Sequence, residues 1–187
     1  MIHIVSGLPR TGTSMMMRIL HTGGLAALTD NVRQADSDNP KGYFELEKVK
    51  QIKQDASWLQ EAEGKVFKMV SMLLLDLPTD RDYKIVFMRR DIDEILASQR
   101  RMLENMGNSQ PQPPDEQMAR LFESHLKQVD RYREQQPRMQ VLHVRHRDVI
   151  SSPLPQVERI AQFLELDLDV QAMAGVVDQS LYRNRSA

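Results

Sequence analysis

Cysteine is absent from the chain. That absence excludes disulfides, cysteine-ligated zinc and a thiol nucleophile, and leaves the redox compartment open. An excess of charge of one sign is also missing: the net charge is −1 and the sequence pI is about 6.5. No global basic field therefore points to a nucleic-acid partner. Long apolar runs are lacking too. The longest, Met69 to Leu75, is interrupted by Ser71 and is far too short to span a bilayer. The chain opens on an apolar segment without a charged leader, so the expectation is a cytoplasmic protein without a secretory signal. The five histidines, His3, His21, His125, His143 and His146, show no metal-ligand spacing, and no metal site is expected. No internal repeat is present. At 187 residues, one domain over 1–187 is expected, large enough for a full core.

What is present is concentrated at the start. Ile2, Ile4 and Val5 form a short β-branched run with the pattern of a buried strand. Ser6 to Gly12 reads as a turn, because glycine permits positive φ and Pro9 fixes its own φ. From Thr13 to Leu20, Met15, Met16, Met17, Ile19 and Leu20 predict a buried helix. Strand, glycine loop and helix in that order make a phosphate cradle. The first N–H groups of the helix have no internal partners, and the helix dipole places partial positive charge there. The spacing Gly7-x-x-x-x-Gly12-Thr13-Ser14 is the Walker A pattern with Thr13 where a nucleotide-binding loop has lysine. The cation sits inside the loop instead, as Arg10.

Further along, Leu25 to Asp30 reads as a short strand and Asp36 to Gly42 as a polar turn cluster. Glu45 to Gln60 reads as a charged helical stretch containing Trp58, and Val66 to Leu75 as a second strand ended by Asp76-Leu77-Pro78. Lys84 to Met88 is a third strand, followed by Arg89-Arg90. Asp91 and Glu94 have the spacing of a capping box, opening a helix with Ile92, Ile95, Leu96, Met102 and Leu103 on its apolar face. Gly107 to Pro114 reads as a loop, and Met118 to Tyr132 as a long amphipathic helix. Gln140 to Val144 is a fourth strand, and Pro153 to Leu164 a helix capped by Ser152. Strands separated by helices imply an α/β fold: three layers, of P-loop type, with a central parallel sheet flanked by helices. Ligands bind such sheets beyond the carboxyl ends of the strands. The first loop, Arg89-Arg90 and Arg145 to Asp148 should therefore share one rim. His146, between Arg145 and Arg147, should resist protonation.

Arg90 follows a strand, and Ser98 stands eight residues on in the next helix. A guanidinium and a hydroxyl so placed can hold a phosphate. They can equally pair locally, the arginine with Asp91 or Asp93 and the serine with its own helix backbone. With the loop, these residues resemble a known family. Ser6-Gly-Leu-Pro-Arg-Thr-Gly-Thr-Ser14 is similar to the 5′-phosphosulfate loop of sulfotransferases that use 3′-phosphoadenosine 5′-phosphosulfate (PAPS). Arg90 with Ser98 resembles that family's 3′-phosphate site. Asn39-Pro-Lys-Gly-Tyr-Phe-Glu45 and Leu181-Tyr-Arg-Asn-Arg185 are similar to stretches of small bacterial members.

The resemblance implies transfer of a sulfuryl group from PAPS to a hydroxyl or amine of a small-molecule acceptor, leaving 3′-phosphoadenosine 5′-phosphate (PAP). It implies a donor site formed by Gly7, Pro9, Arg10, Thr11, Gly12, Thr13, Ser14, Arg90 and Ser98, with Arg183 and Arg185 closing over the nucleotide. Arg10 would donate to the bridging or sulfuryl oxygens; it stays protonated and cannot be the base. Lysine usually holds this position in cytosolic members, and arginine is closer to the protein-tyrosine sulfotransferases. Cytosolic members carry a basic histidine in a Lys-Thr-His run, and Lys68-Met-Val-Ser71 has none. Other branches place a glutamate after the first helix, which makes Glu45 the candidate base here and Lys68 a candidate contact to the transferring group. Two other classes remain open: a P-loop nucleotide or small-molecule kinase, and a non-catalytic nucleotide-binding module. The kinase is disfavoured by Thr13 in the lysine position and by the absence of an obvious Mg²⁺ carboxylate after a strand.

Overall fold

The computed structural model describes residues 1–30, 42–105, 107 and 112–178. Arg183, Arg185, residues 36–41 and residues 108–111 lie outside the described residues. Strand β1 (Ile2–Gly7) has β2 (Val66–Val70) on one side and β3 (Tyr83–Arg89) on the other, with β4 (Met139–Arg145) beyond β3. All pairings are parallel, in the order β2-β1-β3-β4. The chain steps from β1 to one neighbour and returns to the other, so β1 and β3 part at a topological switch point. Crevices of this kind receive ligands at the carboxyl ends of the strands.

Alternation along the strands divides the core in two. Ile2, Ile4, Phe67, Met69, Ile85 and Phe87 meet Leu46, Val49, Ile52, Trp58 and Leu59 on one face. Val129 of α3 (Asp115–Glu134) joins them there. Val5, Val66, Val86 and Met88 meet Met16, Met17, Ile19 and Leu20 of α1 (Thr13–Thr22) on the other. That second layer is completed by Val157, Ile160 and Leu164 of α5 (Pro153–Leu164) and Met173 of α6 (Val170–Gly175). The sheet is thus the middle of three layers, as its buried, β-branched strands require. The methionines of α1 fill this core, each fully buried at positions 16 and 17.

Several elements differ from the sequence reading. Leu25 to Asp30 makes a single bridge, Ala27 to Val66, rather than a strand. Glu45 to Gln60 forms two short 3₁₀ turns, Glu47–Gln51 and Ser57–Gln60, instead of a helix. Asp55 breaks the run by accepting from the Ser57 N–H at 2.9 Å, a local bond that competes with helix continuation. β2 stops at Val70, and Ser71–Asp76 tightens into a 3₁₀ turn with Ser71 and Leu74 buried. At the start of α2 (Ile92–Asn105), Asp91 accepts from the N–H groups of Asp93 and Glu94, while the Glu94 carboxylate takes Arg90. Ser152 occupies the cap position of α5 without a side-chain bond. Two short helices, α4 (His146–Ser151) and α6, escape sequence periodicity because each is under two turns long.

Candidate functional site

The loop between β1 and α1 is built on two close approaches. A Cβ at Gly7 would lie 2.6 Å from Thr11 Oγ1 and 2.7 Å from the Met88 carbonyl oxygen, so only glycine lets β1 and β3 end side by side. Gly12 caps α1 at φ 91°, and a Cβ there would meet His146 Cδ2 at 2.5 Å. Thr11 is buried and its hydroxyl donates to the Leu8 carbonyl at 2.7 Å, which closes the turn. Pro9 stands exposed at its crest. Among the described residues no side chain caps the N-terminus of α1, and no acidic residue lies in its first turn. The N–H groups from Thr13 onward therefore keep their donor capacity, in a positive end of the helix dipole.

Arginine side chains lie across this opening. Arg10 itself is in the left-handed region at φ 68°. Its Nε donates to Ser98 Oγ at 3.0 Å, and Nη1 approaches Met102 Sδ at 3.7 Å. Arg90 Nη1 donates to the Arg10 carbonyl at 3.1 Å, and Arg90 Nε pairs with Glu94 Oε2 at 2.8 Å. Both members of that ion pair are almost fully buried, at 9% and 5% exposure. Arg90 thus takes Glu94 rather than Asp91 or Asp93, and Ser98 faces the loop rather than its own backbone. Arg89 points to the opposite face, where Asp130 accepts from Nη2 at 2.8 and 2.9 Å and His143 Nδ1 accepts from Nε at 3.2 Å.

On the other flank, Lys68 of β2 reaches the start of α1. Its Nζ donates to the Tyr43 carbonyl and lies 3.4 Å from Ser14 Oγ and 3.6 Å from Glu45 Oε1. Ser14 Oγ in turn donates to the Tyr43 carbonyl at 3.1 Å. Phe44, at φ 53°, bends the chain so that the Tyr43 carbonyl and the Glu45 carboxylate both face Lys68. The Glu45 carbonyl is held by Thr29 Oγ1 at 2.8 Å and by the Asp30 N–H. The structure therefore brings Lys68, Glu45 and Ser14 together on one side of the loop, and Arg10, Arg90 and Ser98 on the other.

Sequence reasoning placed the Arg145 to Asp148 stretch, and His146 with it, on this rim, but missed Glu94 as the partner of Arg90. Glu94 is one turn from Arg90, and its ion-pair spacing was the available signal. His146, immediately after β4, packs against Gly12; its side chain is buried and its pKa is lowered to about 4. Burial is the leading cause and Arg90 the second, opposed by Glu94. The flanking Arg145 and Arg147 are not among the causes, so the expected suppression of protonation holds for a different reason. Among the described residues no cluster could hold a metal ion, and no helix is long and apolar enough to cross a membrane.

This geometry fits a doubly phosphorylated nucleotide: an uncapped helix N-terminus, two glycines that let backbone approach closely, and guanidinium groups on the rim. A sulfotransferase domain profile matches residues 3–187. Among solved structures, the chain is similar to the sulfotransferase domain from the curacin biosynthetic pathway, at 13% identity over 99% of this chain and 91% of that one, TM-score 0.55. It is similar to sulfotransferase STF9 from Mycobacterium avium, at 14% identity over 99% and 69%, TM-score 0.58. Retinol dehydratase, solved in complex with androsterone and the inactive cofactor PAP, matches at 16% identity over 97% and 64%, TM-score 0.52. At these identities the likeness is one of fold. No curated protein matches the sequence. With the profile spanning nearly every residue, the chain belongs to the sulfotransferase domain family.

Proposed function

We propose that this chain transfers a sulfuryl group from PAPS to a hydroxyl or amine of a small-molecule acceptor, within one catalytic domain. The observation that carries the reading is the α1 N-terminus, uncapped among the described residues, at the end of the Gly7 to Gly12 loop, with Arg10 and Arg90 joined across that loop. PAPS supplies an activated sulfuryl group on a phosphate leaving group. Gly7, Pro9, Thr11 and Gly12 shape the loop so that the N–H groups of Gly12, Thr13 and Ser14, with the two hydroxyls, hold the 5′-phosphate end. Arg90 and Ser98 hold the 3′-phosphate end. Glu94 orients the Arg90 guanidinium through its Nε, a fixed fork suited to phosphate.

Arg10 is a permanent cation inside the loop and supplies positive charge where the leaving phosphate gains negative charge. Lys68 adds a second cation beside Ser14. Glu45, one ion pair from Lys68, is the carboxylate placed to accept the proton of the attacking group. Arg183 and Arg185, outside the described residues, would add cations over the nucleotide.

Thermal unfolding tests the reading. PAP at 100 times its dissociation constant should stabilise the protein by about 2.7 kcal/mol, a clear rise in melting temperature, and ATP with Mg²⁺ should give none. A rise with Mg-ATP alone would favour a kinase. A rise with PAP but no PAPS-dependent transfer to any of a broad acceptor panel would favour a silent nucleotide-binding module.

A further inference from the structure

The α3 face of the same rim holds a polar pair that the reading above does not use. Val70, the last residue of β2, is the register partner of Gly7, so Ser71 stands one residue beyond the strand end that flanks the loop. Ser71 is buried, and its Oγ lies 2.8 Å from His125 Nε2 of α3. The His125 ring is only partly buried, and its Nδ1 has no hydrogen-bond partner among the described residues. Nearby on this face the Ser6 hydroxyl, the last side chain of β1 before Gly7, is fully buried and has no hydrogen-bond partner among the described residues.

We propose that His125 is an acceptor-side general base of this chain, with Ser71 as its positioning residue. Ser71 Oγ accepts from Nε2–H, which fixes the ring and its tautomer and leaves the Nδ1 lone pair outward. In the step, the acceptor O–H bond breaks and its proton moves to Nδ1. The acceptor oxygen bonds to sulfur as the bond from sulfur to the 5′-phosphate oxygen breaks, and that electron pair leaves with the phosphate. A base must be neutral before the step, and burial lowers the His125 pKa from its ordinary 6.5. Charged groups on the surrounding elements do not oppose this. Asp76 of the 3₁₀ turn acts on Tyr132, Arg89 and His143 engage Asp130, and Arg100 of α2 pairs with Asp115. Glu123 and Lys127 on α3 itself are likewise absent from the causes of the His125 shift.

The proposal rests on the sulfuryl-transfer reading and competes with Glu45 for a single proton, so the test separates the three. Imidazole ¹⁵N NMR of the free protein should show His125 as the Nε2–H tautomer above pH 7; the Nδ1–H tautomer would overturn the assignment. With PAPS and the best acceptor from a phenol, a primary alcohol and a primary amine, His125→Gln should lower kcat by about 100-fold. The acid limb of the pH profile should vanish, with the melting shift from PAP unchanged. Ser71→Ala should give a smaller loss that Ser71→Thr restores, which covers a His125 variant that fails to fold. Wild-type kcat and an intact acid limb in His125→Gln sink the proposal. Loss of that limb in Glu45→Gln alone gives the proton to Glu45 and removes only this inference. A wild-type protein neither stabilised by PAP nor active with PAPS removes both readings.

Discussion

Arg10 combines a backbone conformation that L-residues avoid with a side chain bonded 88 positions away on Ser98. A non-glycine residue at positive φ persists only where its surroundings over-determine it, at a cost of order 1 kcal/mol. Here Arg90 fixes its carbonyl and Ser98 its guanidinium. Because the cation is assigned to charge that develops during transfer, Arg10→Ala should abolish transfer more completely than it weakens PAP binding. Equal losses in turnover and in PAP affinity, measured by calorimetry, would reduce Arg10 to a ligand anchor. Gly12 is constrained from the opposite direction, by space. Gly12→Ala places a methyl group 2.5 Å from the His146 ring at φ 91°. It should destabilise by about 2 kcal/mol in urea unfolding and abolish the melting shift from PAP. A stable variant that still binds PAP would show that the loop is not held as described.

Between β3 and α2 the relevant unit is the Arg90–Glu94 pair, one residue before the helix and one inside its first turn. Taking a single partner away leaves a buried charge, a loss of about 3 kcal/mol or more, whereas removing both can be nearly neutral. Arg90→Ala should therefore lower the urea midpoint sharply, and Arg90→Ala with Glu94→Gln should recover most of it without recovering PAP affinity. Recovery of both would mean that Arg90 serves packing alone. The loop and its helix were legible in the sequence, since glycine spacing, an apolar strand and a methionine-rich helix agree on one local structure. The pair was not, because Arg90 had three acidic neighbours within four residues and only the turn into α2 selects among them.

For the molecule as a whole, acid is the weak side. His146 is held down to about 4, by burial first and then by Arg90. His3, His125 and His143 are also lowered from 6.5, each by burial first. The unfolded chain binds these protons more readily than the folded one. Their contribution is complete above pH 6.5 and is lost as pH falls below it, for His146 as pH falls through about 4. His146 alone accounts for about 3 kcal/mol at the acid end of that window. Urea midpoints measured from pH 7.5 to 4 should fall, and His146→Asn should flatten the fall; an unchanged slope would remove His146 as its source.

The four parallel strands, the three-layer class and the glycine turn between β1 and α1 were set by local pattern: β-branched runs, glycine at two fixed positions, and an apolar helix following directly. Folding decided which distant groups share the rim. Lys68 meets Glu45 and Ser14, Arg10 meets Ser98, and His125 meets Ser71 because parallel pairing aligns the ends of β1, β2 and β3, and the layers fold over them. Those contacts join positions 23 to 88 residues apart. Periodicity and spacing act over a few residues, so only the closed sheet brings such groups within hydrogen-bond reach.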